Sequence, residues 1–291
     1  MAQGDFAQPI KPYLRFGKKI NRIIAMPAYL GGEFPLAGIK WIASFPGNLA
    51  IGLKRAHSVT ILNNVLTGEP VCVINTSQVS AIRTASVSGF IVMNFLKARP
   101  DLAEFSIGFV GFGVIGQLHL DMLIALWGQR ISKVYLYDIA VVGEKVPELW
   151  RDKVCLCDRW EDVYENSDIF ITATVCNNPY INLPPKPGSL LLNVSLRDFQ
   201  PEILHYVDKI IVDDWEEVCR ENTDIERMHL KLGLEKSGTM SLIEFVNDHP
   251  FDQLKKEDVV MFNGMGMAVF DIAIGGFYYR ECLRLGVGAE I

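Results

Sequence analysis

The feature that most constrains this chain is the run Gly111-Phe112-Gly113-Val114-Ile115-Gly116. It has the spacing G-x-G-x-x-G, follows the apolar stretch Phe105–Val110 and opens a segment of helical spacing, Gln117–Leu126. In such a turn the first glycine makes the tight bend. The second lets the backbone approach a pyrophosphate, and the third lets the helix pack closely on the strand. The free N–H groups and partial positive charge at the helix start then face the phosphates. Alone, the spacing marks little more than a glycine-rich turn. Here Asp138 closes the next apolar run, Val134–Tyr137, about 20 residues past Gly116, where a ribose 2′-hydroxyl would find its acceptor. A carboxylate there repels a 2′-phosphate, so the pattern implies NAD rather than NADP.

The rest of the chain arranges itself around that unit. From Phe105 onward, short apolar runs alternate with helical segments: Phe105–Val110, Val134–Tyr137, Ile169–Thr174, Ser189–Val194 and Lys209–Val212. That alternation predicts βαβ units and a parallel sheet. Residues 1–76 look β-rich instead, with apolar runs at Arg22–Leu30 and Gly38–Ser44 and a hairpin of Ser58–Leu62 and Pro70–Asn75 around the turn Asn63–Glu69. Ser77–Lys97 reads as a helix with Ser77 as its cap and Val79, Ile82, Phe90 and Met93 on one face. Met267–Leu285 is again apolar and helical, and is expected to pack back on the first domain. The fold class is therefore α/β: a Rossmann dinucleotide-binding domain over residues 101–264, and an α+β domain over residues 1–100 with 265–291.

Composition narrows the function classes. At 291 residues, 49% hydrophobic and 21% charged, the chain suits about two domains. Its net charge of −6 argues against a nucleic-acid partner, which would call for a basic stripe. No run of 18 apolar residues is present, so no membrane span is expected, and the start lacks the apolar core of a secretory signal. Six cysteines, at 72, 155, 157, 176, 219 and 282, form no C-x-x-C pair, which suits a reduced, cytoplasmic protein. The five histidines form no metal-ligand pattern, so no metal is expected.

Two further features carry chemistry. Lys40 and Arg83 sit in apolar surroundings, Gly38-Ile39-Lys40-Trp41-Ile42 and Ser80-Ala81-Ile82-Arg83-Thr84-Ala85. Cations so placed suit a substrate carboxylate, although a solvated edge lysine and a surface arginine would read the same way. Asp198, in Asn193-Val194-Ser195-Leu196-Arg197-Asp198, follows an apolar run at the end of which a parallel sheet binds ligands. It could move a proton there, but position alone favours a cap for the helix that begins near Pro201.

At this point the chain resembles the ornithine cyclodeaminase/mu-crystallin family over residues 5 to 285. The resemblance is carried by Ile24-Ala25-Met26-Pro27-Ala28, Gly38-Ile39-Lys40, Thr67-Gly68-Glu69-Pro70, Arg83-Thr84-Ala85, the glycine loop, Thr172-Ala173-Thr174 and Asn193–Asp198. Gln8–Arg15, Arg22–Pro27, Gly38–Ala43, Ile210–Trp215 and Asn263–Ala268 resemble a branch of dehydrogenases that make 2,3-diaminopropionate for siderophores and peptide antibiotics. The resemblance implies a homodimer formed through the first domain, which would also bind substrate. It implies that Lys40 and Arg83 hold a substrate carboxylate, with Lys11 or Arg15 as a further substrate-binding cation, and that Lys40 and Asp198 serve catalysis, Asp198 as the acid/base rather than a cap. Arg55, Arg83, Gly111, Gly113, Val114, Ile115, Gly116, Asp138, Thr174, Asn193, Val194 and Ser195 would contact NAD. The implied reaction is NAD-dependent oxidative hydrolysis of N-(1-amino-1-carboxy-2-ethyl)glutamate to L-2,3-diaminopropionate and 2-oxoglutarate. Cyclodeaminase, ketimine- or alanine-type oxidoreductase and non-catalytic dinucleotide binder are the alternatives. Against the family pattern the chain starts late, without a first strand and helix, and carries Glu202 where cyclodeaminases have a lysine.

Overall fold

The structure is a computed structural model and describes residues 4–18, 20–32, 35–248 and 250–289. By contact the chain divides into two compact units, residues 1–83 with 266–291, and residues 84–265. The sequence reading put the first boundary past residue 100. Contacts put it inside a long helix, after Arg83.

The first unit is built on an antiparallel sheet of β1 (Phe6–Ala7), β2 (Tyr13–Arg15), β3 (Arg22–Leu30), β4 (Leu36–Ser44), β5 (Ala56–Asn64) and β6 (Pro70–Ile74). The order is β1-β3-β4-β5-β6, with β2 also paired to β3. Pro27 lies inside β3 without breaking the ladder. Ala25 N–H bonds outward to Pro12 O, and two residues on, the nitrogen of Pro27 faces the same side, where the edge passes from β1 to β2. The β5–β6 turn is held by Asn64 Oδ1, which accepts from Leu66 N–H at 2.8 Å and from Thr67 N–H.

Helix α1 (Gln78–Ala98) follows. Its first N–H, of Gln78, is taken by Thr76 Oγ1, one residue upstream of the expected cap Ser77. By length and composition alone, α1 is apolar enough to cross a membrane, alone in this among the described helices. Half of its apolar window is buried within the protein, because Ala85, Ile91, Val92 and Phe95 make it a core helix.

The second unit holds an eight-stranded, wholly parallel sheet. Its elements are β7 (Phe105–Val110), α2 (Val114–Trp127), β8 (Ile131–Tyr137), β9 (Val154–Leu156), α3 (Trp160–Asn166), β10 (Ile169–Thr172), β11 (Leu190–Asn193), β12 (Lys209–Val212), α4 (Trp215–Val218), α5 (Asp224–Leu232), β13 (Met240–Ser241), α6 (Leu242–Asp248) and β14 (Val260–Asn263). The strand order is β13-β12-β14-β11-β10-β7-β8-β9. Strands β7, β10, β11 and β14 are buried throughout, which explains their unbroken apolar runs. The chain runs outward from β7 through β8 to β9, then returns to the other side of β7 with β10. The carboxyl ends of β7 and β10 are therefore the topological switch point, where open parallel sheets bind ligands.

The last helix, α7 (Ala268–Leu285), belongs to the first unit. Val269 and Ile272 pack with Met26, Ala28 and Leu62 of the sheet, as the sequence reading expected.

Candidate active-site residues in the two units

The glycine loop occupies the switch point, and its three glycines have separable roles. Gly111 has φ +89°, and a Cβ there would lie 2.7 Å from the Ala173 carbonyl. Gly116 packs under the loop, since a Cβ there would meet Gly111 O at 2.6 Å. Gly113 is different. Its φ of −75° suits any residue, and a Cβ would meet nothing within 4 Å. The space over Gly113 is open, and with Val114 it forms the exposed N-terminus of α2, with Ile115 half-buried behind them. These residues fit a dinucleotide pyrophosphate, which would take the open space above Gly113 and the N–H groups of α2. Asp138 stands at the end of β8, its carboxylate accepting from Phe112 N–H at 2.6 Å and Ala140 N–H at 2.8 Å. The loop and the acid are thus tied together.

Thr174, Asn193, Val194 and Ser195 lie just past β10 and at the end of β11, on the same carboxyl edge. Between them sits Asp198, fully buried. Its carboxylate accepts from Thr174 Oγ1 at 2.5 Å and from Ser195 Oγ. Burial pushes its pKa above the usual carboxylate range, against the pull of those hydroxyls. The cap reading fails: the turn at Pro201–Tyr206 is capped by Gln200, with no side-chain bond. Tyr180 packs its buried hydroxyl beside Asp198 without completing a hydrogen bond, and burial and then the Asp198 charge raise its pKa. Nothing in the sequence singled out Tyr180.

In the first unit Lys40 and Arg83 converge on one carboxylate that sequence reasoning missed. Asp271, on α7, accepts from Lys40 Nζ at 2.7 Å and from Arg83 Nε at 3.2 Å. Burial disfavours its charge, but Arg83 and Lys40 together hold its pKa below the ordinary value. Lys40 is the converse. Burial lowers its pKa to about 8, with Asp271 opposing and Arg83 and Lys11 adding to the fall. Lys40 Nζ also donates to Ser80 Oγ at 3.1 Å. Neither cation is the solvated residue that the sequence left open, as Lys40 is 1% exposed.

The two further substrate-binding candidates separate. Lys11 is buried and donates to Gly266 O at 2.9 Å, and the Arg83 guanidinium packs against Gly266. Lys11 therefore joins the cluster. Arg15 is exposed at the end of β2, its guanidinium over the Tyr13 ring. Arg55 lies in the loop before β5, where its carbonyl accepts from Phe45 N–H. Among the described residues, no three His, Cys, Asp or Glu side chains gather as metal ligands.

A family model for ornithine cyclodeaminase/mu-crystallin proteins matches residues 1–284. The chain belongs to this family. One family relative, N-((2S)-2-amino-2-carboxyethyl)-L-glutamate dehydrogenase of Staphylococcus aureus, is 30% identical, covering all of this chain and 89% of its own length. An alanine dehydrogenase of Archaeoglobus fulgidus is 27% identical, again covering all of this chain and 89% of the relative. Among solved structures, an archaeal alanine dehydrogenase dimer with bound NAD superposes with a TM-score of 0.85 at 25% identity, covering 100% of this chain and 89% of that one. The Δ1-pyrroline-2-carboxylate reductase of Thermococcus litoralis, with NADH and L-proline, shares the fold, with a TM-score of 0.87 at 22% identity and coverage of 99% and 91%.

Proposed function

We propose that this family member is an NAD-dependent amino acid oxidoreductase whose substrate is N-((2S)-2-amino-2-carboxyethyl)-L-glutamate. The observation that carries the oxidoreductase reading is the glycine loop, open over Gly113 and tied to Asp138, at the switch point of a parallel sheet. The choice of substrate rests on the full-length similarity to the Staphylococcus aureus dehydrogenase.

Bound NAD⁺ supplies the hydride acceptor for the glutamyl Cα–H. Gly111, Gly113, Val114, Ile115 and Gly116 would hold its pyrophosphate and Asp138 its ribose, while Thr174, Asn193, Val194 and Ser195 would line it on the same carboxyl edge of the sheet; Arg83 and Arg55 are further candidates for cofactor contact. Lys40, Arg83 and Lys11 neutralise substrate carboxylates, and Arg15 is the weaker candidate for that role. Asp198 accepts the amine proton as the Cα–H and N–H are lost, which leaves an imine. It then assists addition of water to that carbon, and C–N cleavage releases 2-oxoglutarate and L-2,3-diaminopropionate. A carboxyl whose burial raises its proton affinity is suited to carrying a proton through both steps. The product serves siderophore or peptide-antibiotic assembly. The first unit supplies a homodimer contact, and the six free cysteines fit a reducing cytoplasm.

Purified protein incubated with this secondary amine and NAD⁺ should form NADH, 2-oxoglutarate and 2,3-diaminopropionate in equal amounts. The full-length alanine dehydrogenase relative favours a second reading, oxidative deamination of L-alanine. Turnover of L-alanine without turnover of the secondary amine would replace the first reading with the second.

A further inference from the structure

Behind Asp198 lies a second buried acid with no place in the chemistry above. Asp224 is the first residue of α5, after the Thr223 cap, and is fully buried. Its Oδ2 accepts three hydrogen bonds: Asp198 N–H and Phe199 N–H, each at 3.1 Å, and Asn193 Nδ2 at 3.0 Å. Its own N–H donates to Leu196 O at 2.8 Å. One residue thus grips the acid loop at Asn193, Leu196, Asp198 and Phe199.

The loop needs gripping. Leu196 has φ +64°, one of three non-glycine residues in the left-handed region among those described. A leucine there is strained and persists only where its surroundings over-determine it. Asn193 Oδ1 holds Leu196 N–H at 3.0 Å, while Asp224 holds the carbonyl of the same residue. That turn is what brings Asp198 back toward Ser195 and Thr174.

We propose that Asp224 is the positioning residue of the acid loop: its carboxylate and N–H fix the left-handed turn at Leu196, and its charge faces Asp198 from behind. The proposal rests on the reading of Asp198 as the acid/base. The second oxygen, Oδ1, is buried without a hydrogen-bond donor, with Arg227 Nη1 at 3.8 Å as its nearest cation. The charges around this acid are therefore Asp198 on the loop and Arg227 on its own helix. Around Asp198 itself stand the hydroxyls of Ser195, Thr174 and Tyr180. Burial raises the Asp224 pKa to about 6, with the Asp198 charge adding to it.

Three full-length variants test this: Asp224→Asn, Asp224→Ala and Asp198→Asn. An asparagine oxygen can accept the same N–H bonds but carries no charge. Asp224→Ala should lower kcat by about tenfold or more with little change in KM, and Asp224→Asn should restore most of that loss. The Asp224 carboxyl itself, whose proton the Asp198 charge helps to hold, should titrate at lower pH in Asp198→Asn. The carboxyl ¹³C resonance of Asp224 in that variant reads this shift independently of turnover. If Asp198→Asn is inactive while Asp224→Asn and Asp224→Ala both match the parent in kcat, Asp224 is a packing residue and the proposal falls alone. Normal turnover by Asp198→Asn would remove the acid/base reading and the proposal with it. Should Asp224→Ala fail to fold, the ¹³C titration decides: an Asp224 resonance unmoved by Asp198→Asn overturns the proposal.

Discussion

A lysine with 1% of its surface exposed keeps its proton only on terms set by its neighbours. Burial drives the Lys40 pKa to about 8, and the Asp271 carboxylate keeps it from falling further. The sign for binding follows directly. Below pH 8 Lys40 is charged and can hold a substrate carboxylate; above it the charge is lost. The expected kcat/KM therefore declines as pH rises through about 8. Lys40→Arg should flatten that limb, because a guanidinium stays charged across the range. Asp271→Asn should move the limb to lower pH by removing the charge that supports the ammonium. A pH profile that is flat through 8 in the parent, or unmoved in Asp271→Asn, would show that Lys40 does not set the limb. At Asp138 the same electrostatics acts on the cofactor. Its carboxylate, held by Phe112 N–H and Ala140 N–H, cannot swing away from a 2′-phosphate. NAD⁺ should bind at least about tenfold more tightly than NADP⁺ in a fluorescence titration, a difference of ~1.4 kcal/mol. Equal affinities would take Asp138 out of the cofactor site.

One scale up, the loop between β7 and α2 separates folding from binding within six residues. Gly111→Ala would place a Cβ against the Ala173 carbonyl in a left-handed backbone, a conformation that costs about 1–2 kcal/mol even without the overlap. Its melting temperature should fall. Gly113→Ala meets nothing in the protein, so it should melt like the parent yet lose about tenfold or more in NAD⁺ affinity. If both variants bind NAD⁺ normally, the dinucleotide does not lie over this loop. That loop was legible in the sequence because its constraints are local: three glycines, a strand before and a helix after. Strand β3, the β5–β6 hairpin and α7 were legible for the same reason, as their periodicity runs over many residues. Strands β1 and β13, of two residues each, carry no periodicity to read. The missed chemistry was missed for a different reason. Asp271 is 231 residues from Lys40, and Asp224 is 26 residues from Asp198. Each looks in sequence like an ordinary acid in the first turn of a helix, where acids are common because they suit the helix dipole. Only folding shows which cation or loop each one meets. Asp198 went the other way: position favoured a cap, and its bonds to Thr174 and Ser195 removed that role.

At the scale of the whole molecule, the sheet of the first unit has two unlike faces. Met26, Ala28, Lys40, Thr60 and Leu62 are buried on the face that α7 covers. The alternate residues form the other face. Register sets Pro27 beside Ile39 and Ile39 beside Ile61, Ile61 beside Val73, and Trp41 beside Val59. Trp41 is 44% exposed and Val73 46%, in an apolar stripe across four strands. Stripes of that kind mark association surfaces, and an archaeal alanine dehydrogenase of the same fold is a dimer. A second copy of this chain is the expected occupant, which would make the contact isologous, each Trp41 set against the same sheet face of the other copy. Sedimentation equilibrium should then give twice the chain mass of 32.6 kDa. Trp41→Glu removes an aromatic of the kind that anchors interfaces and would bury an unpaired carboxylate in its place, a loss of several kcal/mol. The variant should sediment at the single-chain mass, and because Trp41 faces away from α7 its circular dichroism should match the parent. A parent that sediments at 32.6 kDa at micromolar concentration would end the dimer reading. A Trp41→Glu variant that stays dimeric would move the contact off this face.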